Sequence, residues 1–254
     1  MDEFTRERIA RAMRQATRIV VLTGAGISTS AGIKDFRGKD GMYEIVRKRY
    51  NLPSPEAIFE INFFMRQPEP FYEMVRSMFA MEAEPTLSHR FLAWLEEQGK
   101  MSLLVTQNID MLHHKAGSKA VLECHGTLRT ASCLTCGRSF EFAEIRAAVL
   151  AGGIPRCECQ GLIKPDIVFF GESLPAEFYT VHLSPPDADL LLLMGTSLNV
   201  QPAAGFALNL AATTESILVN RDPTPYDAMV THVVNMDLDR FCQDIWEEME
   251  KTPS

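Results

Sequence analysis

Seven short apolar runs recur along the chain, at 18–22, 102–105, 120–122, 167–170, 190–194, 217–219 and 232–234, and several are apolar at successive positions rather than at alternate ones. A strand that is apolar on both faces needs cover on both, which is the signature of a parallel sheet lying between helices. Stretches with helical character at 4–15, 70–81, 86–98, 202–212 and 238–251 lie between or beside these runs, as βαβ units require. The predicted fold is therefore α/β, a doubly wound, Rossmann-like parallel sheet.

Two stretches break the alternation: 38–67, with Pro53, Pro55 and several aromatics, and 127–162, which carries four cysteines. The expected division is a Rossmann-like domain formed by 1–37, 82–126 and 163–254, with a smaller domain made from a helical insertion over 38–81 and a cysteine-bearing module over 127–162.

With 254 residues, 46% of them hydrophobic, the chain can bury a sizeable core. No apolar run approaches the roughly 20 residues that cross a bilayer. The chain opens on Asp2 and Glu3, and 19–22 is too short for the apolar region of a signal peptide, so a cytoplasmic location is expected. A formal net charge of -8 repels phosphate backbones, which makes direct nucleic-acid binding a poor expectation while basic protein segments stay open as partners.

In a reducing compartment the six cysteines are thiols or metal ligands rather than disulfides. Cys133 and Cys136 form C-x-x-C, and after twenty intervening residues Cys157 and Cys159 form C-x-C. Four thiolates suit tetrahedral Zn2+, and a first shell filled by cysteine leaves no position for water or substrate, so the metal expected here is structural.

The run 18–22 leads into Gly24-Ala25-Gly26-Ile27-Ser28, small residues whose backbone N–H groups can approach a pyrophosphate. Thr29 stands where a G-x-G-x-x-G fingerprint has its last glycine, so the turn alone reads equally well as a tight structural turn. Asn108 and Asp110 follow the run 102–105, where helix N-capping is their plain role. His125 lies between the run 120–122 and Gly126, and an imidazole titrating near neutrality is suited to take a hydroxyl proton, though a lone histidine is more often structural. His113 and His114 have no matching ligand cluster and read as surface residues of a helix.

Taken in order, Gly24 to Ser28, Gly32-Ile33-Lys34-Asp35-Phe36-Arg37, Thr106-Gln107-Asn108-Ile109-Asp110, His125-Gly126, the four cysteines, Lys164-Pro165-Asp166-Ile167-Val168-Phe169-Phe170-Gly171-Glu172 and Gly195-Thr196-Ser197 span nearly the whole chain. With these segments the sequence resembles the sirtuins, NAD-dependent protein deacylases, of microbial type. The resemblance implies that Gly24, Ala25, Gly26, Ser28, Asp35, Phe36 and Arg37 hold the phosphates and nicotinamide ribose of NAD. It places Gln107, Asn108, Ile109 and Asp110 at the nicotinamide pocket, and Gly195, Thr196, Ser197, Asn220 and Arg221 at the adenosine half. His125 would be the general base, assisted by Asn108 and Asp110.

The same resemblance assigns an extended acyl-lysine peptide to the edge formed by Val168, Phe169, Phe170, Gly171 and Glu172 and by Leu198 and Val200, adding a strand between the domains. Phe36, Phe169 and Phe170 would line a tunnel for the acyl-lysine stem, although ordinary core is the commoner fate of phenylalanine. Members that prefer succinyl or malonyl groups carry a Tyr and an Arg three apart in the helix corresponding to 70–81. Here Tyr72 and Arg76 are four apart, so a neutral acyl group, acetyl first, is expected. Departures are Lys34 in place of the usual proline, Met111 where glycine is common, and the shortened second cysteine pair.

The implied activity is conversion of acyl-lysine and NAD to lysine, nicotinamide and O-acyl-ADP-ribose, in acetylated or acylated proteins and peptides. Three alternatives stand beside it: mono-ADP-ribosyl transfer to protein from the same site, a non-catalytic NAD-sensing zinc-ribbon binding module, and, on fold alone, a hydride-transferring dehydrogenase.

Overall fold

The computed structural model describes residues 1–33, 49–50, 52, 54–80 and 82–251. Six strands, β1 (Ile19–Thr23), β2 (Met101–Thr106), β3 (Val121–Glu123), β7 (Leu190–Met194), β8 (Ser216–Asn220) and β9 (His232–Asn235), pair side by side in the order β3-β2-β1-β7-β8-β9. Every pairing in this sheet is parallel. Counted along the chain within the sheet, this is the doubly wound order 3-2-1-4-5-6, whose direction of winding reverses between β1 and β7.

The continuous apolar runs are explained by burial on both faces. In β1, Ile19 and Val21 enter one core while Val20 and Leu22 enter another; in β7, Leu190, Leu192 and Met194 join the first and Leu191 and Leu193 the second. All five residues of each of β1, β7 and β8 are buried. The first core is closed by the helices Glu3–Gln15, Leu87–Glu97 and Leu238–Glu250 through Ile9, Met13, Phe91, Leu95, Phe241 and Ile245. The second is closed by Ala203–Ala211 through Phe206 and Ala207, and by Ala176–Leu183 through Phe178.

Short polar residues start the first set of helices. Asp2 accepts from Thr5 N at 2.8 Å, Thr86 forms a capping box with His89, and Asp237 accepts from Arg240 N at 3.1 Å. Each occupies an orphan backbone donor of the first turn.

A second, antiparallel sheet joins β5 (Ser139–Glu141), β4 (Gly126–Cys133) and β6 (Ile163–Ile167). It shares one core with the helix Glu69–Ala80: Phe64, Phe71, Tyr72, Leu128, Phe142, Ile145, Ile163 and Phe169 are buried together. The run at 167–170 is therefore not a strand of the parallel sheet. Ile167 instead ends the strand β6, whose earlier positions are disguised by Lys164, Pro165 and Asp166, and the rest of the run is a loop in which Phe169 N donates to the Glu172 carboxylate and Phe170 bridges to Glu60, its N donating to Phe59 O. Among the described residues no helix is long and apolar enough to cross a membrane.

Candidate active site

The carboxyl ends of β1 and β7 meet at the reversal of winding, and three glycines let them do so. A Cβ on Gly24 would lie 2.7 Å from the Gly195 carbonyl oxygen, and one on Gly26 would lie 2.7 Å from Gly195 Cα. Gly195 has φ +63, and a Cβ there would approach Ile27 N to 2.5 Å. Part of the demand for glycine is thus the close approach of the two loops to each other, which the sequence does not reveal. Gly26 N donates to Gly195 O at 2.9 Å and Gly24 N to Met194 O at 3.1 Å.

Gln107, just past β2, fastens the third loop to both. Its backbone N donates to Thr23 O at 3.0 Å and its side-chain amide to Thr196 Oγ1 at 2.8 Å. Asn220 at the end of β8 donates to Thr196 O at 2.6 Å. Beyond Gln107, Ser28 Oγ donates to Asp110 Oδ2 at 2.6 Å, and Asn108 Nδ2 donates to Ser28 Oγ at 3.1 Å and to Asp110 Oδ2 at 3.2 Å. Asp110 also accepts from Leu112 N at 2.9 Å, a local turn bond, while the N-cap position of the helix that follows is Met111 and carries no side-chain cap.

His125 Nδ1 lies 3.0 Å from the carbonyl oxygen of Gln107. A carbonyl only accepts, so Nδ1 carries the proton and the neutral ring presents an Nε2 lone pair. Burial holds the His125 pKa below its ordinary value, with the hydrogen bond to Gln107 acting weakly the other way. The next residue, Gly126, has φ +76, and a Cβ there would overlap Asp166 O at 2.0 Å, so only glycine fits between His125 and the second sheet. The neighbouring Cys124 is buried and its thiol is pushed up to about 12, which keeps it protonated and out of nucleophilic or ligand chemistry.

These loops enclose a cavity of about 630 Å³. Gly24, Ala25, Gly26, Gln107, Asn108, Ile109, His125, Gly195, Thr196, Ser197, Asn220 and Arg221 line it, together with Val168, Phe169, Phe170, Gly171, Glu172 and Val200. Ser28 and Asp110 line a small adjoining niche with Ala25, Asn108 and Ile109, which both spaces share. Asp35, Phe36 and Arg37 lie outside the described residues.

The structure places several expected residues differently. Leu198 does not line the cavity; it is 1% exposed, sits at φ +56 and packs into the core with Phe206 and Leu218. Phe169 is buried and walls the cavity, whereas Phe170 is 52% exposed. His113 is not a surface residue: it is 2% exposed, its Nε2 is 2.9 Å from Thr23 Oγ1, and its ring lies 4.6 Å from that of His89. Thr23 is ninety residues earlier in the chain, so no local pattern announces the pairing.

Residues that the sequence did not point to also line the cavity. Phe59 adds to the apolar wall beside Phe169, Tyr179 comes from a helix without a clear amphipathic pattern, and Asp222 and Asp237 stand at the end formed by β8 and the last helix.

The four cysteines converge. Their sulfurs all lie within 4.8 Å of one another, with Cys133–Cys159 at 3.5 Å and Cys136–Cys157 at 3.7 Å. Tetrahedral zinc with Zn–S near 2.3 Å would set sulfurs about 3.8 Å apart, so this donor set fits structural zinc despite the shortened second pair. Gly161 is part of the fit, since a Cβ there would lie 2.6 Å from the Cys133 sulfur.

The Sir2 family model matches residues 24–202. The NAD-dependent deacetylase sir2D of Dictyostelium discoideum is 38% identical over 257 residues, covering 98% of this chain and 47% of that protein. The NAD-dependent protein deacetylase sir-2.1 of Caenorhabditis elegans is 43% identical over 223 residues, covering 86% of this chain and 37% of that one. The chain thus spans less than half the length of these curated relatives.

Two solved Sir2 structures superpose along nearly all of both chains. A Sir2 enzyme studied for its mechanism and regulation has a TM-score of 0.86 at 34% identity, covering 98% of this chain and 99% of its own. A Sir2 variant with a deacetylated p53 peptide and 3′-O-acetyl ADP-ribose has a TM-score of 0.84 at 36% identity, covering 95% and 97%. On the family match, the relatives and the shared fold, this chain belongs to the Sir2 family.

Proposed function

We propose that this chain is an NAD-dependent protein lysine deacylase, acting first on acetyl-lysine in proteins and peptides and releasing nicotinamide and O-acyl-ADP-ribose. The observation that carries this reading is the shared cavity: the glycine-lined reversal of the sheet, the His125 ring and the Val168–Glu172 edge face one space. Its relatives are named as deacetylases, and a close structural neighbour holds a deacetylated peptide with an acetyl ADP-ribose.

When bound, NAD supplies a ribose carbon that bears a cationic leaving group. Gly24, Ala25 and Gly26, at the carboxyl edge of the sheet, would cradle its phosphates, and Gly195, Thr196, Ser197, Asn220 and Arg221 its adenosine half. Asn108, tied to Ser28 and Asp110, would orient the nicotinamide end from the cavity wall. His125 Nε2 would accept a ribose hydroxyl proton, for which its neutral form and fixed tautomer suit it.

The peptide edge is narrower than the sequence suggests. The amides of Val168, Phe169, Phe170 and Glu172 are already committed within the protein, which leaves Gly171 N as the donor of this segment without a partner among the described residues. An added strand would therefore dock through Gly171 on one side and the Asn199–Val200 backbone on the other.

A neutral acyl group fits best. Tyr72 is fully buried in the small core and donates to Ile163 O, Arg76 Nη1 donates to Val149 O, and neither residue lines the cavity. Zinc would hold the second sheet and take no part in the reaction. We place the protein in the cytoplasm, whose reduced thiols suit this metal module.

Chromatography of the products tests the reaction: nicotinamide, deacetylated peptide and O-acetyl-ADP-ribose are expected in equal amounts. A peptide that gains ADP-ribose instead of losing acetyl would replace deacylation with ADP-ribosyl transfer.

A further inference from the structure

Lys164 belongs to the segment that leads into the peptide edge, yet it takes no part in the site as described. Its side chain is only 7% exposed, and its ammonium donates to Ile167 O at 2.7 Å, to Pro165 O at 3.1 Å and pairs with Glu172 Oε2 at 3.1 Å. An ammonium has three donors, and all three are used. The same ammonium lies 4.5 Å from the centre of the Phe169 ring, within cation–π range.

Glu172 Oε2 also accepts from Phe169 N at 2.8 Å, and Glu172 N donates to Phe169 O at 3.0 Å. One ion pair, buried at its Lys164 end and partly exposed at Glu172, thus folds 164–172 into a closed clamp that fixes the Phe169 ring in the cavity wall and the amide of Gly171 beside it. The flanks are pinned as well: Val168 N donates to His125 O at 2.8 Å, and Phe170 pairs with the backbone of Phe59 and Ile61. Burying a charge is costly unless its hydrogen-bonding capacity is met, and here the segment itself meets all three donors of the Lys164 ammonium. The nucleotide loops after β1, β7 and β8 make no contact with this clamp among the described hydrogen bonds and ion pairs.

We infer that Lys164 is a positioning residue for the acyl-lysine peptide, acting through Glu172 and Phe169 on the edge that receives it while leaving NAD binding untouched. This rests on the proposed deacylase reading.

The test uses the full chain, an acetyl-lysine peptide and NAD, with KM measured for each. Lys164→Met is expected to raise the peptide KM about tenfold or more, the scale of losing hydrogen bonds to a charged group, with the KM for NAD within about twofold of wild type. Lys164→Arg, which keeps a cation with several donors, is expected to recover most of the loss. Glu172→Gln, which removes the charge partner from a partly exposed position, serves where the methionine variant does not fold, and it too is expected to raise the peptide KM alone. Unchanged peptide KM in the methionine or glutamine variant, or equal rises in both KM values, would overturn the inference. A wild-type protein that releases no nicotinamide would instead overturn the deacylase reading on which it rests.

Discussion

His125 donates through Nδ1 to the backbone carbonyl of Gln107 across 3.0 Å, and Gln107 is itself bonded to Thr23 and Thr196 on the two sides of the sheet's reversal point. The ring that would act as base is therefore oriented by the same residue that fastens the nucleotide loops, and its proton sits on the nitrogen away from its work.

Deprotonated His125 is the working form, and burial lowers its pKa. Activity is expected to rise with pH and level off, with the acidic limb at or below the ordinary histidine value of about 6.5. A pH profile of kcat/KM for the peptide checks this, and a limb well above that value would count against His125 as the base.

Gly195→Ala forces a Cβ into φ +63 and to 2.5 Å from Ile27 N. Strain and overlap together should cost roughly 2–4 kcal/mol, and a thermal melt is expected to fall by roughly 5–15 °C. NAD affinity, measured by calorimetry, should fall with it, because the loops after β1 and β7 can no longer close on each other.

The cysteine geometry predicts one zinc per chain by elemental analysis. Cys157→Ser or a strong chelator should remove it and raise hydrogen exchange in β4 and β5, because metal binding contributes on the order of 10 kcal/mol to folding such modules. The parallel sheet, whose cores lie elsewhere, should keep its protection.

Burial pushes His89 down to about 4 and holds His113 well below the ordinary value. Below about 6.5 the unfolded chain takes up protons that these folded histidines refuse, so stability is present above that pH and is lost as pH falls toward 4. Melting temperature should drop between pH 7 and pH 5, and His113→Gln, which keeps a side-chain amide near Thr23, should flatten that slope.

The parts of the fold that could be read in the sequence are those where one physical demand dominates. β1, β7 and β8 are buried on both faces, which the consecutive apolar residues at their centres satisfy, with polar residues only at strand ends. The strand Ile163–Ile167 is hidden because its lysine is buried through hydrogen bonds rather than apolarity, while only the first residue of the 167–170 run belongs to a strand. His113 is missed for a similar reason: it is buried against a threonine from a distant strand. The cysteine cluster was legible because zinc takes cysteine or histidine ligands in closely spaced pairs, and the two cysteine pairs stand out at that spacing.

The most direct test of the account is the mass of an acetyl-lysine peptide incubated with the protein, with and without NAD, beside His125→Ala. Loss of acetyl that requires NAD, and falls by about 10²-fold or more in the variant, is the predicted result. Acetyl lost without NAD, or at the wild-type rate in the His125 variant, would contradict it.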